Sequence, residues 1–161
     1  MLTVWRITTA RFAATAFSGE GARLYGGRWN PKGFELVYTA QSGSLALLEL
    51  MVQDAPLHAR YLLIPARLPD TVSVTHIKVA DLPPDWRRLD RRDVLQRMGR
   101  DWLERGDSAV LAVPSAVVPA ERSYLINPRH PDFAHIIIGN PEALETDLRL
   151  IRNLSAGDSF V

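Results

Sequence analysis

The sequence predicts a single α+β domain: mixed or antiparallel sheet with a few helices. Three observations predict it. Strand-like segments outnumber helical ones, the two kinds do not alternate in a regular βαβ order, and the 161 residues contain neither an internal repeat nor a low-complexity linker. A chain of this length buries about two-thirds of the surface its unfolded form exposes, so no covalent staple is required. The expected division is a domain over residues 1–154 and a short flexible tail over 155–161.

Residues 2–8 (LTVWRIT) read as a first strand, followed by a long polar loop over 18–33 (SGEGARLYGGRWNPKG). Half of the ten glycines lie in that loop, at Gly19, Gly21, Gly26, Gly27 and Gly33, which lets the backbone approach a ligand closely. Residues 35–39 (ELVYT) form a short strand. With Ser44 as N-cap, residues 44–54 (SLALLELMVQD) form a helix that stops before Pro56 and is apolar nearly all round, which predicts burial.

Strands are expected over 60–68 and 72–79, separated by a Pro69-Asp70 turn. Residues 90–105 make an amphipathic helix with Val94, Leu95, Met98, Trp102 and Leu103 towards the core and Gly106 closing it. Short strands at 109–113 and 122–126 flank a proline-bounded segment, 114–119. Another lies at 135–139, and residues 147–152 alternate like an edge strand.

The composition excludes several classes of function. With no cysteine there is no disulfide framework and no thiolate metal site, and His58, His76, His130 and His135 lack paired ligand spacing, so no metal is expected. Arg6 and Arg11 interrupt any signal-peptide core, and no apolar run approaches the ~20 residues of a membrane span; a cytoplasmic protein is expected. The net charge of +1 gives no general attraction to nucleic acid. Arginines 87, 88, 91, 92, 97, 100 and 105 are interleaved with acidic residues and read as a salt-bridged, solvated face.

Two features carry chemistry. Glu49 sits inside the apolar helix, where a carboxylate is costly unless a partner or ligand compensates it; an anchoring ion pair with an arginine and a ligand-facing role are both open. The run Gly26-Gly27-Arg28-Trp29-Asn30-Pro31 places a guanidinium and an indole on a flexible backbone, suited to holding a phosphate or simply to forming a turn. No dinucleotide or P-loop fingerprint is present, and Ser115 in VPSAVVP is not a nucleophile elbow.

Taken in order, Trp5-Arg6, GARLYGGRWNPKG, Tyr38, Glu49 in ALLE, and Ser115 in VPSAVVPAERSYLINPRHPDF resemble the RES domain family, named for an Arg, a Glu and a Ser that fall at Arg28, Glu49 and Ser115. The resemblance implies a fold related to ADP-ribosyltransferase toxins and the toxin half of a bacterial toxin–antitoxin pair. It implies NAD+ as substrate and no metal, with cleavage of the nicotinamide N-glycosidic bond or transfer of ADP-ribose to a protein acceptor. The implied partner is an Xre-like helix-turn-helix antitoxin that covers part of the site, with DNA reached only through that antitoxin and no membrane involved.

In that picture Glu49 stabilises the oxocarbenium-like ribose, Arg28 and Arg6 hold the diphosphate, and Tyr38 orients the nicotinamide ribose end. Trp29 walls the pocket, Ser115 hydrogen-bonds the substrate, and Gly27 and Asn127 complete the binding residues. A non-catalytic binding module, with Arg28 and Glu49 as a structural ion pair, is the alternative from a different class.

Overall fold

The computed structural model describes residues 1–53, 59–147, 149 and 150. In chain order the elements are β1 (Leu2–Thr9), α1 (Glu20–Tyr25), β2 (Val37–Ala40), α2 (Gly43–Gln53), β3 (Tyr61–Leu68), β4 (Val74–His76), α3 (Arg92–Arg105), β5 (Val110–Pro114), β6 (Arg122–Ile126), β7 (Ile137–Ile138) and β8 (Glu142–Leu144). Single 3₁₀ turns occupy Ala10–Thr15, Val79–Asp81, Leu89–Arg91 and Pro131–His135.

Among the described residues the strands form one eight-stranded sheet in the order β4-β5-β6-β2-β1-β3-β7, with β8 also pairing β3. Only β4 and β5 run parallel; the other pairs are antiparallel. The expected α+β class is therefore borne out. No described helix is long and apolar enough to cross a membrane.

Strand alternation divides the core. Val110, Ala112, Tyr124 and Ile126 point into one cluster with Val4, Val37, Ile64 and Phe17, while Leu111, Val113 and Leu125 point into a second with Trp29, Trp86, Leu95 and Trp102. The period of two makes register strict here, because a one-residue slip would exchange the two sets. A smaller cluster joins Leu45 and Ala46 of α2 to Ala40, with Trp5, Ile7 and Val118 against it.

Strand β1 is registered with β3 along its whole length but with β2 only at Trp5↔Ala40. Past that pair the two strands part, and Arg6 spans the opening: its Nη1 donates to the Tyr38 carbonyl at 2.9 Å.

Several expectations are corrected. Helix α2 is not buried all round: Leu45 and Ala46 are, but Leu48 and Val52 are 41% and 63% exposed. A helix laid on one sheet covers a single stripe, and the apolar character of the remainder reflects something other than this core. Its cap is Ser42 rather than Ser44, since Ser42 Oγ accepts from Leu45 N at 3.1 Å. The long loop contains α1 and a bridge between Gly27 and Asn30.

The strand expected over 72–79 contracts to β4 because Val79 already turns into a 3₁₀ helix. In place of an edge strand at 147–152, Arg149 and Leu150 are helical, with Asp147 Oδ1 accepting from Arg149 N at 2.9 Å as a cap. The rest of that segment, the expected tail at 155–161, and His58 lie outside the described residues.

Candidate active site

Glu49 stands half-buried on α2, which packs against β1 and β2, and its side chain reaches serines after β5 and on β6. Ser115, immediately after β5, donates its hydroxyl proton to Glu49 Oε1 at 2.7 Å and accepts from the Val117 and Val118 amides at 3.1 Å each. Ser123 of β6 approaches the same carboxylate oxygen at 3.5 Å. A hydroxyl has one proton and two lone pairs, so Ser115 is fully committed. The sequence casts Ser115 as a substrate donor; in the structure its hydroxyl proton goes to Glu49. The second carboxylate oxygen takes no hydrogen bond from a described side chain.

Glu49 is not in an ion pair among the described residues, and Arg28 lies near enough to feel its charge without contacting it. The anchoring ion pair left open by the sequence is absent there. Arg28 Nη1 instead donates to the Arg87 carbonyl at 3.2 Å, and its pKa is lowered by partial burial and by the like charges of Arg92 and Arg87.

The glycine-rich loop is held by an internal knot. Tyr38 donates its phenol proton to Asn30 Oδ1 at 2.6 Å and accepts from Trp29 N at 3.0 Å. Asn30, fully buried, turns its amide nitrogen towards the carbonyls of Ala22, Pro31 and Phe34 at 2.9, 3.0 and 3.2 Å. A Cβ on Gly27 would sit 2.5 Å from the Tyr38 hydroxyl, so a side chain there would displace the tyrosine. Gly99 of α3 presses against the same loop, where a Cβ would be 1.7 Å from the Trp29 carbonyl oxygen.

Burial pushes the Tyr38 phenol well above its ordinary pKa, so it stays neutral, with its hydroxyl spent on the knot. Only its ring remains for a ligand. Arg6, across the opening between β1 and β2, has a pKa lowered to about 10 by desolvation, and its Nε has no partner among the described residues.

Two expected site residues are placed elsewhere. Trp29 is 3% exposed and packs in the second core with Trp86 and Trp102, so it supports the loop from behind instead of walling a pocket. Asn127 follows the far end of β6, roughly 13 Å along the strand from Ser123 at strand rise, and its Oδ1 accepts from Arg129 N at 3.0 Å in a turn. Glu49, Ser115, Tyr38, Arg28 and Arg6 are the ones brought into one neighbourhood. Sequence reasoning missed Asn30 and Ser123; only the Asn-Pro dipeptide hinted at the first. Among the described residues, no group of three His, Cys, Asp or Glu could hold a metal ion.

The family model described as RES domain matches residues 3–148. The chain belongs to the RES domain family. This RES domain is 38% identical over 132 residues to Toxin Res of Yersinia enterocolitica, covering 81% of this chain and 86% of that one. It is 39% identical over 156 residues to the Prs ADP-ribosylating toxin of a Sphingobium species, covering 92% and 96%. The NAD(+) phosphorylase MbcT of Mycobacterium tuberculosis is 35% identical over 108 residues, 61% of this chain and 56% of that protein. The crystal structure of the M. tuberculosis MbcT-MbcA toxin–antitoxin complex superposes with a TM-score of 0.76 at 24% identity, over 96% of this chain and 89% of that one, and shows the shared fold.

Proposed function

We propose that this RES domain is the NAD+-consuming toxin of a toxin–antitoxin pair and that it breaks the nicotinamide N-glycosidic bond. The observation that carries the reading is a carboxylate held by a serine and free of any ion pair among the described residues, set beside arginines that likewise lack carboxylate partners. The names of the relatives supply the substrate: one is an NAD(+) phosphorylase and another an ADP-ribosylating toxin.

The chemistry needs few groups. The bond from ribose C1′ to the pyridinium nitrogen breaks with its electron pair going to that nitrogen, so nicotinamide leaves neutral and requires no general acid. Positive charge develops on the ribose, and Glu49, kept in place by Ser115, faces it. Arg28 and Arg6 hold the diphosphate by charge-assisted hydrogen bonds, and Tyr38 adjoins both. An acceptor oxygen then bonds to C1′; water or a hydroxyl releases its proton to solvent, and an ionised phosphate oxygen has none to release.

Water, phosphate and a protein side chain are three acceptors for one intermediate. The relatives' names favour phosphate and protein over water. Incubation with NAD+ labelled in the adenosine half separates them: label on a protein band means transfer, a phosphorylated ADP-ribose means phosphorolysis, and free ADP-ribose means hydrolysis. The partner is an antitoxin of the Xre-like helix-turn-helix type whose chain covers part of the site, and DNA is contacted through it alone.

Glu49→Gln tests the core of the proposal. It keeps the shape and the Ser115 hydrogen bond, and NAD+ turnover is expected to fall by about 100-fold or more with the loss of the charge. A folded Glu49→Gln protein that consumes NAD+ at the wild-type rate refutes the assignment.

A further inference from the structure

The arginine-rich segment before and within α3 is not the uniform salt-bridged face its sequence predicts. Five of its seven arginines do pair: Arg88 with Asp90 at 2.8 Å, Arg91 with Asp85 at 3.1 Å, Arg97 with Asp93 at 3.6 Å, Arg100 with Asp101 at 3.6 Å, and Arg105 with Asp107 at 3.0 Å. Arg87 and Arg92 pair with no carboxylate among the described residues, although acidic residues flank both in sequence. They are also the two that face Arg28, whose pKa both lower as like charges.

Hydrogen bonds fix the arrangement. Arg28 Nη1 reaches the Arg87 carbonyl at 3.2 Å, and Arg87 Nε donates to the carbonyl of Ala116 at 2.8 Å, one residue beyond the serine that holds Glu49. Arg92 opens α3 one turn before Gln96, whose Nε2 donates to the Gly27 carbonyl at 2.8 Å, so it stands on the helix face turned to the Arg28 segment, at a helix end whose own dipole disfavours a cation. Three elements thus bring Arg28, Arg87 and Arg92 to the neighbourhood of Glu49, and among the described residues none of the three is in a salt bridge. Like charges in such proximity repel each other unless an anion sits among them.

We propose that Arg87 and Arg92 join Arg28 to form a site for a phosphate-type anion adjoining Glu49. Both are exposed, so a ligand reaches them directly. In the proposed reaction, on which only the naming of the anion rests, two sources carry this chemistry: the diphosphate of NAD+ and a free phosphate acting as acceptor. Planar guanidinium groups suit either through paired N–H donors.

The test is titration calorimetry of the full chain with ADP-ribose and, separately, with inorganic phosphate, on wild type, Arg92→Gln, Arg87→Gln and, as control, Arg97→Gln. Both site substitutions are expected to weaken one or both probes by about tenfold each, as loss of a charge-assisted hydrogen bond requires, while Arg97→Gln stays within about twofold. A loss confined to ADP-ribose assigns the diphosphate, and a loss confined to phosphate assigns the acceptor. With NAD+ as substrate, a diphosphate role raises KM about tenfold and leaves kcat within about threefold.

Unchanged binding of both probes in Arg92→Gln overturns the proposal, as does a wild-type protein that binds neither. The Arg92 side chain makes no hydrogen bond to a described residue, so its substitution decides the matter even if Arg87→Gln disturbs the segment it tethers. A protein that binds the probes through these arginines yet never consumes NAD+ would refute the proposed function and leave the anion site standing.

Discussion

The glycine-rich loop and the Glu49 corner are neighbours built in opposite ways. In the loop, the polar groups of Asn30 and Tyr38 are spent on one another and on the backbone, and Trp29 is sealed in the core. At the corner a single serine clamps one oxygen of a half-buried carboxylate, leaving the other without a hydrogen bond from a described side chain. The difference teaches which parts serve as scaffold: polar groups with every valence used rigidify, and those with capacity left are available to a ligand. Arg28 belongs to the loop by sequence but to the corner by this criterion.

The contrast is broken most violently by Gly99→Ala. Its Cβ would have to occupy space 1.7 Å from a backbone oxygen of the loop, so α3 and the loop must separate. We expect a stability loss of about 4 kcal/mol or more, seen as failure to fold or a collapse of the thermal midpoint. A protein with wild-type Tm would show that the loop is not pinned to α3.

Ser115→Ala sharpens the other half. It strips Glu49 of its donor and leaves two backbone amides without their acceptor, at a position 1% exposed. The expected cost is about 1–3 kcal/mol in urea unfolding, together with a fall in kcat and little change in KM. A large KM effect at unchanged kcat would mean that the serine touches substrate after all.

Tyr38→Phe divides the two regions directly. Removing the hydroxyl leaves the Trp29 amide and Asn30 Oδ1 unpartnered, so a loss of about 1–2 kcal/mol of stability is expected while the ring remains in place. If instead stability holds and kcat collapses, the hydroxyl belongs to the chemistry and the division between scaffold and site is wrong.

The smallest effect is expected outside both regions, at the Arg129–Glu35 pair, with N···O at 2.7 Å and the arginine 77% exposed. Hydrogen bonding to Arg129 lowers the Glu35 pKa. A depressed carboxylate pKa contributes stability above its unfolded value, and that contribution disappears as pH falls through the folded value. Arg129→Ala should therefore lower the denaturant midpoint slightly at neutral pH and leave it unchanged in acid, as a midpoint series across pH will show.

The parts most legible in the sequence are those whose signal is local. Short runs on either side of a proline-bounded segment located β5 and β6, and the amphipathic stripe of Leu95, Met98 and Trp102 located α3. The same kind of signal misled at α2, because an apolar helix surface does not say how much of it a sheet will cover. It is silent on the surroundings of Trp29 and Asn127, because residue type beside a motif does not specify which way a side chain points or which end of a strand it occupies.

By itself, then, the sequence determined the α+β class, the order of the principal strands and helices, and membership of the RES domain family, since propensity, alternation and an ordered motif are properties of the chain read in one dimension. Tertiary structure alone decided that Ser115 holds Glu49 across 66 residues, that Gly27 yields space to Tyr38, and that two of seven interleaved arginines near Arg28 have no carboxylate partner among the described residues. Those are questions of distance and of which valences remain unused, and both are settled only when separate elements close on one another.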